Sequence, residues 1–395
     1  MTGMKRRLAF VALALLAAVA VQAVDYGVEL LNEIGINNAD ETDWYTDHQA
    51  ALWLTVPFDR ANTRSLAVEG RLYGARQAET EDFKGYLNLE LFRFSYSSTP
   101  GTIAHISLDA GRIMVQDITG YILNQALDGA QVHGTFAFGN VDAFMGYTGL
   151  LNARKTGALM SADDYRDMES DVPYALGAKR LVGKVTAQFP QLIGPVDLIG
   201  ELTGQYDLRD KFESDQSQLI HTGYATVSAS GPLVERLYFT ASGTWQTGVL
   251  KTDVEYSETA YLILGRIDWF FAGSGKAYAE FLYTSAQDDT FTSFLPITFQ
   301  SAGELFQDGY GNLWKATIGA LYNPLEFLNL DIAGKFFMYP KEVIKDEGVY
   351  RGTELLAGAM FLVRSDVRVR CEGSLFFPKD EDTQYQASLK AILDL

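Results

Sequence analysis

From Val24 onward the chain alternates apolar and polar residues with a period of two. One segment sets Leu237, Phe239, Ala241, Gly243 and Trp245 on one side and Arg236, Tyr238, Thr240, Ser242, Thr244 and Gln246 on the other. Successive side chains of a strand point to opposite faces, so this is a ribbon with one greasy and one wet surface. The same division runs through 196–205, 261–269, 328–336 and 367–375. Helical spacing is almost missing. Soluble strands run to about five or six residues, whereas these reach ten or more, the length at which a tilted strand crosses a bilayer.

About eighteen such segments are predicted, near 26–36, 48–57, 65–74, 86–96, 103–112, 129–139, 140–150, 174–189, 193–206, 220–230, 234–246, 259–271, 275–286, 313–322, 326–338, 353–363, 366–377 and 384–395. Their connections alternate in length. Short ones fall at 97–102, 139–140, 190–192, 231–233, 272–274, 323–325 and 364–365, and long ones at 37–47, 75–85, 113–128, 151–173, 207–219, 247–258, 287–312, 339–352 and 378–383, with 58–64 intermediate. A large secreted sandwich or propeller is the alternative, but it has no reason to gather its long loops at one end, and its second layer would have to cover eighteen greasy faces. The pattern therefore predicts an all-β, transmembrane, antiparallel up-and-down β-barrel of 16 to 18 strands, with short periplasmic turns and long extracellular loops.

Charge fits that architecture. There are 32 Lys+Arg against 50 Asp+Glu, a net −18, which excludes nucleic acid as the main partner. Most of the acid excess lies in the long connections, predicting an acidic mouth that concentrates cations. The wet faces are mixed instead: Asp109, Arg180, Lys184, Asp197, Glu201, Arg236, Arg266, Asp268, Glu280, Asp331, Lys335, Arg368, Arg370 and Glu372 are expected to line a pore, together with Lys276, Lys315, Glu354, Lys390 and Asp394. A soluble core cannot bury so many charges, whereas the aqueous lumen of a 16- to 18-stranded barrel holds them. Two long connections are expected to fold inward and narrow it. One is 113–128, which carries Ile118, Tyr121, Ile122 and Leu123, and the other is 151–173, with Arg154, Lys155 and Arg166.

The two ends carry addresses. Lys5, Arg6 and Arg7, an apolar run to Val21 and the small residue Ala23 read as a cleaved secretory signal over 1–23, leaving 24–395 as a single barrel domain. Too few residues precede the first loop for a plug domain. At the other end Tyr385, Ala387, Leu389, Ala391, Leu393 and Leu395 alternate with polar residues, resembling the C-terminal signal read by the barrel-assembly machinery, with leucine where phenylalanine is usual. Aromatics near strand ends, among them Trp53, Tyr86, Tyr96, Trp269, Phe271, Tyr283, Trp314, Tyr322, Phe336, Phe377 and Tyr385, suit interfacial girdles. Localisation in a bacterial outer membrane follows, with lipid as the surrounding partner.

The stretch Leu108-Asp109-Ala110-Gly111-Arg112, a loop, and then Leu127-Asp128-Gly129-Ala130-Gln131-Val132 resembles a strand–loop–strand element of substrate-specific porins, the alginate-export type among them. It departs from them in having Ile113 after the arginine. The resemblance implies that Arg112 and Asp128 flank a constriction loop, although alternation puts Arg112 on the greasy face of Ile106 and Leu108. It also implies a homotrimer.

Chemistry finds little purchase. Cys371 is the single cysteine and there are four histidines, so neither a cofactor nor a structural metal is expected. His105 and Ser107 share a face without an elbow motif, His133 is expected near the far end of the next strand, and His48 and His221 stand alone. Asp163, Asp164, Asp167, Glu169 and Asp171 read as a solvated loop, and Gly273-Ser274-Gly275-Lys276 as a turn. The expected function is passive diffusion of small hydrophilic solutes through a porin, without enzymatic activity. The alternative is an adhesin or interaction protein using its acidic loops.

Overall fold

The computed structural model describes residues 24–38, 43–77, 84–100, 104–158, 172, 174–209, 219–251, 255–271, 274–286, 292–341 and 348–395. The expected leader at 1–23 lies outside them. Eighteen strands form among the described residues: β1 (Asp25–Asn37), β2 (Asp43–Pro57), β3 (Arg64–Gln77), β4 (Lys84–Ser98), β5 (Ala104–Gln116), β6 (Asn124–Phe136), β7 (Gly139–Tyr147), β8 (Arg180–Ile193), β9 (Val196–Asp207), β10 (Leu219–Val234), β11 (Leu237–Lys251), β12 (Glu255–Phe271), β13 (Gly275–Thr284), β14 (Trp314–Leu325), β15 (Leu328–Met338), β16 (Tyr350–Arg364), β17 (Val367–Pro378) and β18 (Gln384–Asp394). Each pairs antiparallel with its neighbours in sequence, and β1 also pairs with β18, from Glu29 opposite Asp394 to Asn37 opposite Gln386. Val28 and Leu395 exchange both backbone hydrogen bonds at 2.8 Å where the ring closes. Closure leaves no edge strand at the seam, so backbone polar groups are satisfied largely within the wall, the part of β4 before Phe92 being the exception on its β5 side.

From β6 onward short and long connections alternate as expected, except between β11 and β12, whereas the connections from β1 to β6 are all of similar length. Gly194 (φ 60°) and Arg236 (φ 69°) supply the left-handed conformation that tight turns between twisted strands require. The turn at 58–63 is held by Asp59, whose carboxylate accepts from the backbone N–H and the hydroxyl of Thr63, each at 2.9 Å. Several boundaries move, such as the start of β2 from 48 to Asp43 and of β8 from 174 to Arg180, and two of the shifts have a clear cause. β6 begins at Asn124 rather than near 129, because Gln125 and Leu127 continue the ladder opposite Val115 and Ile113. The connection expected at 247–258 is mostly strand: β11 and β12 stay paired out to Lys251 and Glu255, through β-branched and aromatic residues such as Val249 and Tyr256.

The outer surface is apolar, with Leu202, Val227, Ile318, Ile332 and Val363 each more than half exposed. A soluble protein rarely leaves contiguous apolar surface of that extent to water. An aromatic belt runs over β12–β16 at the long-loop end of this face: Tyr261 stacks on Tyr283, Phe281 meets Trp314, and Trp314 leads through Phe336 to Tyr350 at centroid distances of 5.0–5.9 Å. Trp269, Phe271 and Tyr322 form its counterpart at the short-turn end. From Tyr261 to Phe271 is about 33 Å along the strand at ~3.3 Å per residue, or about 25 Å of height once a tilt of ~40° is allowed, which matches a bilayer's apolar band. Two expected girdle residues face inward instead. Trp53 lies over Gly27 inside the wall, and Tyr86 stacks on Tyr73, which donates to Glu90 in the lumen.

Two tests follow from the wall. Gly111 (φ 121°) bends β5, and a Cβ there would strike the carbonyl of Phe92; Gly111→Ala should therefore destabilise the vesicle-refolded barrel by about 2 kcal/mol or more in urea unfolding. Donation from Thr63 holds the Asp59 carboxyl below its usual value of 3.8. Its contribution is thus present above that value and is lost as pH falls through the folded one. Asp59→Asn should lower the unfolding midpoint at neutral pH and cease to differ from wild type in strong acid.

Candidate functional site

Two segments fold into the barrel. The first, 117–123, lies within the region expected to do so. Asp117 ties it into a knot by accepting from the backbone N–H groups of Thr119, Gly120, Ile122 and Leu123 at 2.8–3.1 Å. Tyr121 then reaches across the lumen to donate to Glu280 on β13 at 2.7 Å. Burial beside that carboxylate raises the Tyr121 phenol well above its ordinary value, keeping it a donor.

The second segment, 292–313, was not anticipated, since acids and small residues flank it in sequence. Its signal was Phe294-Leu295-Pro296-Ile297 and Leu305-Phe306, too apolar for a solvated loop. Ile297 and Thr298 both donate to the Ile122 carbonyl at 2.9 Å, and Leu295 N–H donates to Gln246 at 2.9 Å. Ile122, Leu123, Phe294, Ile297 and Leu313 pack with Phe144, Val182, Leu262 and Leu282 of the wall into an apolar core inside the barrel. Much of the β6–β13 side is sealed by it. The other expected inward segment enters in part: Ala153 and Ala158 are buried, and Phe299 N–H donates to the Gly157 carbonyl at 2.6 Å. Arg166 and the acids at 163–171 lie outside the described residues.

This seal sorts the expected pore-lining residues. Arg180 and Glu201 face inward but are buried. Arg180 lies 3.7 Å from Asp207, and Glu201 accepts from Thr186, Thr203 and the N–H of Ile118. Lys184 donates to the Gln116 carbonyl at 2.6 Å. Asp197 sits at the short-turn rim, accepting from Gln191 N–H, and Asp109 accepts from Ser95. Arg236 is a correction: it occupies the β10–β11 turn, exposed beside Glu235, because that hairpin turns at 235–236.

The remaining residues form a belt of ion pairs over β12–β18 and β1–β3. Arg266 bridges Asp268 and Glu280 at 2.9 and 3.1 Å, and Lys276 joins Asp268 at 3.2 Å. Lys335 meets Glu354 at 3.2 Å. Arg370 pairs with Asp331 at 3.2 Å and with Glu372. Lys390 reaches Glu33 at 3.1 Å and Glu372 at 3.7 Å, and Arg368 reaches Asp394 and Glu29. Two recesses open along this belt: an inner one of ≈ 360 Å³ against β13–β18 and β1, and an outer one of ≈ 410 Å³ above it. Glu304 and Gln386 border both.

Arg112 and Asp128 do sit on the outward face, as alternation required, yet Arg112 is only 4% exposed. The β4–β5 ladder stops at Phe92 opposite Arg112. Beyond it the guanidinium caps the freed edge of β4 by donating to the Leu89 carbonyl at 2.7 Å, holds Asp128 through both oxygens at 2.8 and 2.7 Å, and donates to the Leu150 carbonyl at 2.9 Å. Thus the pair pins the point where the β5–β6 hairpin leaves the wall for the lumen.

His133 is not at the far end of its strand from His105. It lies opposite Ser107, with Nδ1 2.6 Å from Asp142 and Nε2 3.1 Å from Thr135. That is a hydroxyl–imidazole–carboxylate row, but neighbouring strand amides are engaged in the ladder, leaving no paired donors for an oxyanion among the described residues. His48 bonds Asn32 on the outer face and His221 stacks on Tyr206.

No family model and no curated protein matches the chain. Solved structures do, at low identity. Pseudomonas aeruginosa OccK2 (OpdF) has a TM-score of 0.62 at 10% identity, covering 94% of this chain and 97% of that one. OccK5 (OpdH) of the same organism has 0.60 at 11%, covering 94% and 98%. Its OprD has 0.56 at 13%, covering 96% and 97%. The chain thus has the 18-stranded fold of outer-membrane porins.

Removing one partner of a buried ion pair strands the other. Arg112→Met is accordingly expected to cost ~3–5 kcal/mol in urea unfolding from vesicles. Arg112→Met combined with Asp128→Leu should recover part of that loss.

Proposed function

We propose that this protein is an outer-membrane channel through which small hydrophilic solutes diffuse passively. One observation carries the reading: an apolar outer face encloses a belt of ion pairs, and two recesses stay open along it beside the inward segments. No covalent step and no energy source is needed for such passage. The shared fold with outer-membrane porins supports it. Lipid surrounds the wall, and strand β18, paired to both β1 and β17, is the segment offered to assembly machinery. One of the similar porins, OccK2, has been seen with glucuronate, which sets the size of solute in view.

In this account segments 117–123 and 292–313 are the constriction, and the route runs beside β13–β18 and β1. Purified protein in a planar bilayer should give stable, step-like conductance. Excising 296–310 behind a short linker should roughly double the conductance of each step, because an 18-stranded wall alone encloses a wide aqueous bore. A membrane that stays silent with folded, inserted protein would refute the reading.

A further inference from the structure

The open half of the lumen has a neck, built by a clamp. Leu305 N–H donates to Glu354 Oε1 at 2.6 Å, and Glu354 is itself fully buried against Lys335. Phe306 stacks on Phe337 at 4.3 Å and leans on Phe376 at 5.7 Å. Gly303 passes so close that a Cβ there would come within 2.6 Å of Glu354 Oε2. Two anchored neighbours and a fixed backbone leave Glu304 exposed between them, at the point where the outer and inner recesses meet.

Each charge on the facing wall already has a partner of opposite sign, three cations serving four carboxylates. Lys390 sits between Glu33 and Glu372, Arg370 between Glu372 and Asp331, and Lys335 on Glu354. Glu304 forms no ion pair among the described residues. With its backbone held and its carboxylate outside any ion pair among the described residues, it adds a negative charge where a solute must pass.

We propose that Glu304 sets the charge preference of the channel, favouring small solutes that carry an ammonium or guanidinium group and retarding free carboxylates such as sugar acids. This rests on the channel reading above. Outer-loop acids act over the Debye length, about 10 Å at 0.1 M salt and ~3 Å at 1 M, so their influence fades in strong salt. A carboxylate bordering the route acts at contact distance and persists.

Reversal potentials across a KCl gradient near 1 M separate the two sources. Wild type should favour cations, Glu304→Gln should reduce the cation-to-anion permeability ratio at least about twofold, and Glu304→Lys should invert it. Glu381→Gln, on the outer recess, should alter the ratio only in dilute salt. Glu304 is exposed and its carboxylate bonds nothing among the described residues, so folding of these variants is checked simply by their heat-modifiable migration. A Glu304→Gln channel that conducts with the wild-type ratio overturns the assignment and leaves the channel reading intact. Silence of the wild type overturns both.

Discussion

Backbone hydrogen bonding is the constraint on which the rest depends. Inside a bilayer an unpaired N–H or C=O costs several kcal/mol, and no water is at hand to take its place. A chain of strands can meet that demand only by returning its last strand to its first, as β18 does along β1. Once the ring is closed, one face of every strand must suit hydrocarbon and the other is free to be wet. The alternation in the sequence is the record of that division, and the aromatic belts mark where each face meets the interface.

Closure fixes the wall but leaves an interior too wide to fill with side chains. Here two segments enter and divide it. On one side they build an apolar core of the kind found in soluble proteins, and the charges trapped beneath it survive because each is matched: Arg180 with Asp207, Glu201 with two threonine hydroxyls and a backbone amide. On the other side the charges pair with one another across strands while remaining beside open space. Pairing lowers the field of each charge without closing the route. Tyr121, reaching Glu280 from the opposite wall, ties the two halves together.

Strand number and the facing of most residues were legible in the sequence, because each depends on a period of two that a single chain displays by itself. What covers a wet face depends on contacts between residues far apart, and alternation is silent there. Arg180 and Glu201 show this: their face was correct and their exposure was not. Arg236 differs for a local reason, since its hairpin turns at 235–236 rather than at 231–233. Segment 292–313 escaped notice because acids at its flanks masked Phe294, Ile297 and Phe306. Arg112 was legible as a conflict, a cation on a greasy face next to a left-handed glycine. Such conflicts are where a barrel departs from its own regularity, and this one marks the hairpin that turns inward.

The central claim is that the apolar face is wetted by lipid, and the chain carries one natural probe of it. Cys371 is the single cysteine and is exposed on the outward face of β17, between Ala359 and Leu389 on the adjoining strands. With a small fluorophore on this thiol, protein refolded into vesicles should be strongly quenched by lipids brominated on their acyl chains and scarcely at all by iodide in the water. Emission untouched by brominated lipid and readily quenched by iodide would contradict the account.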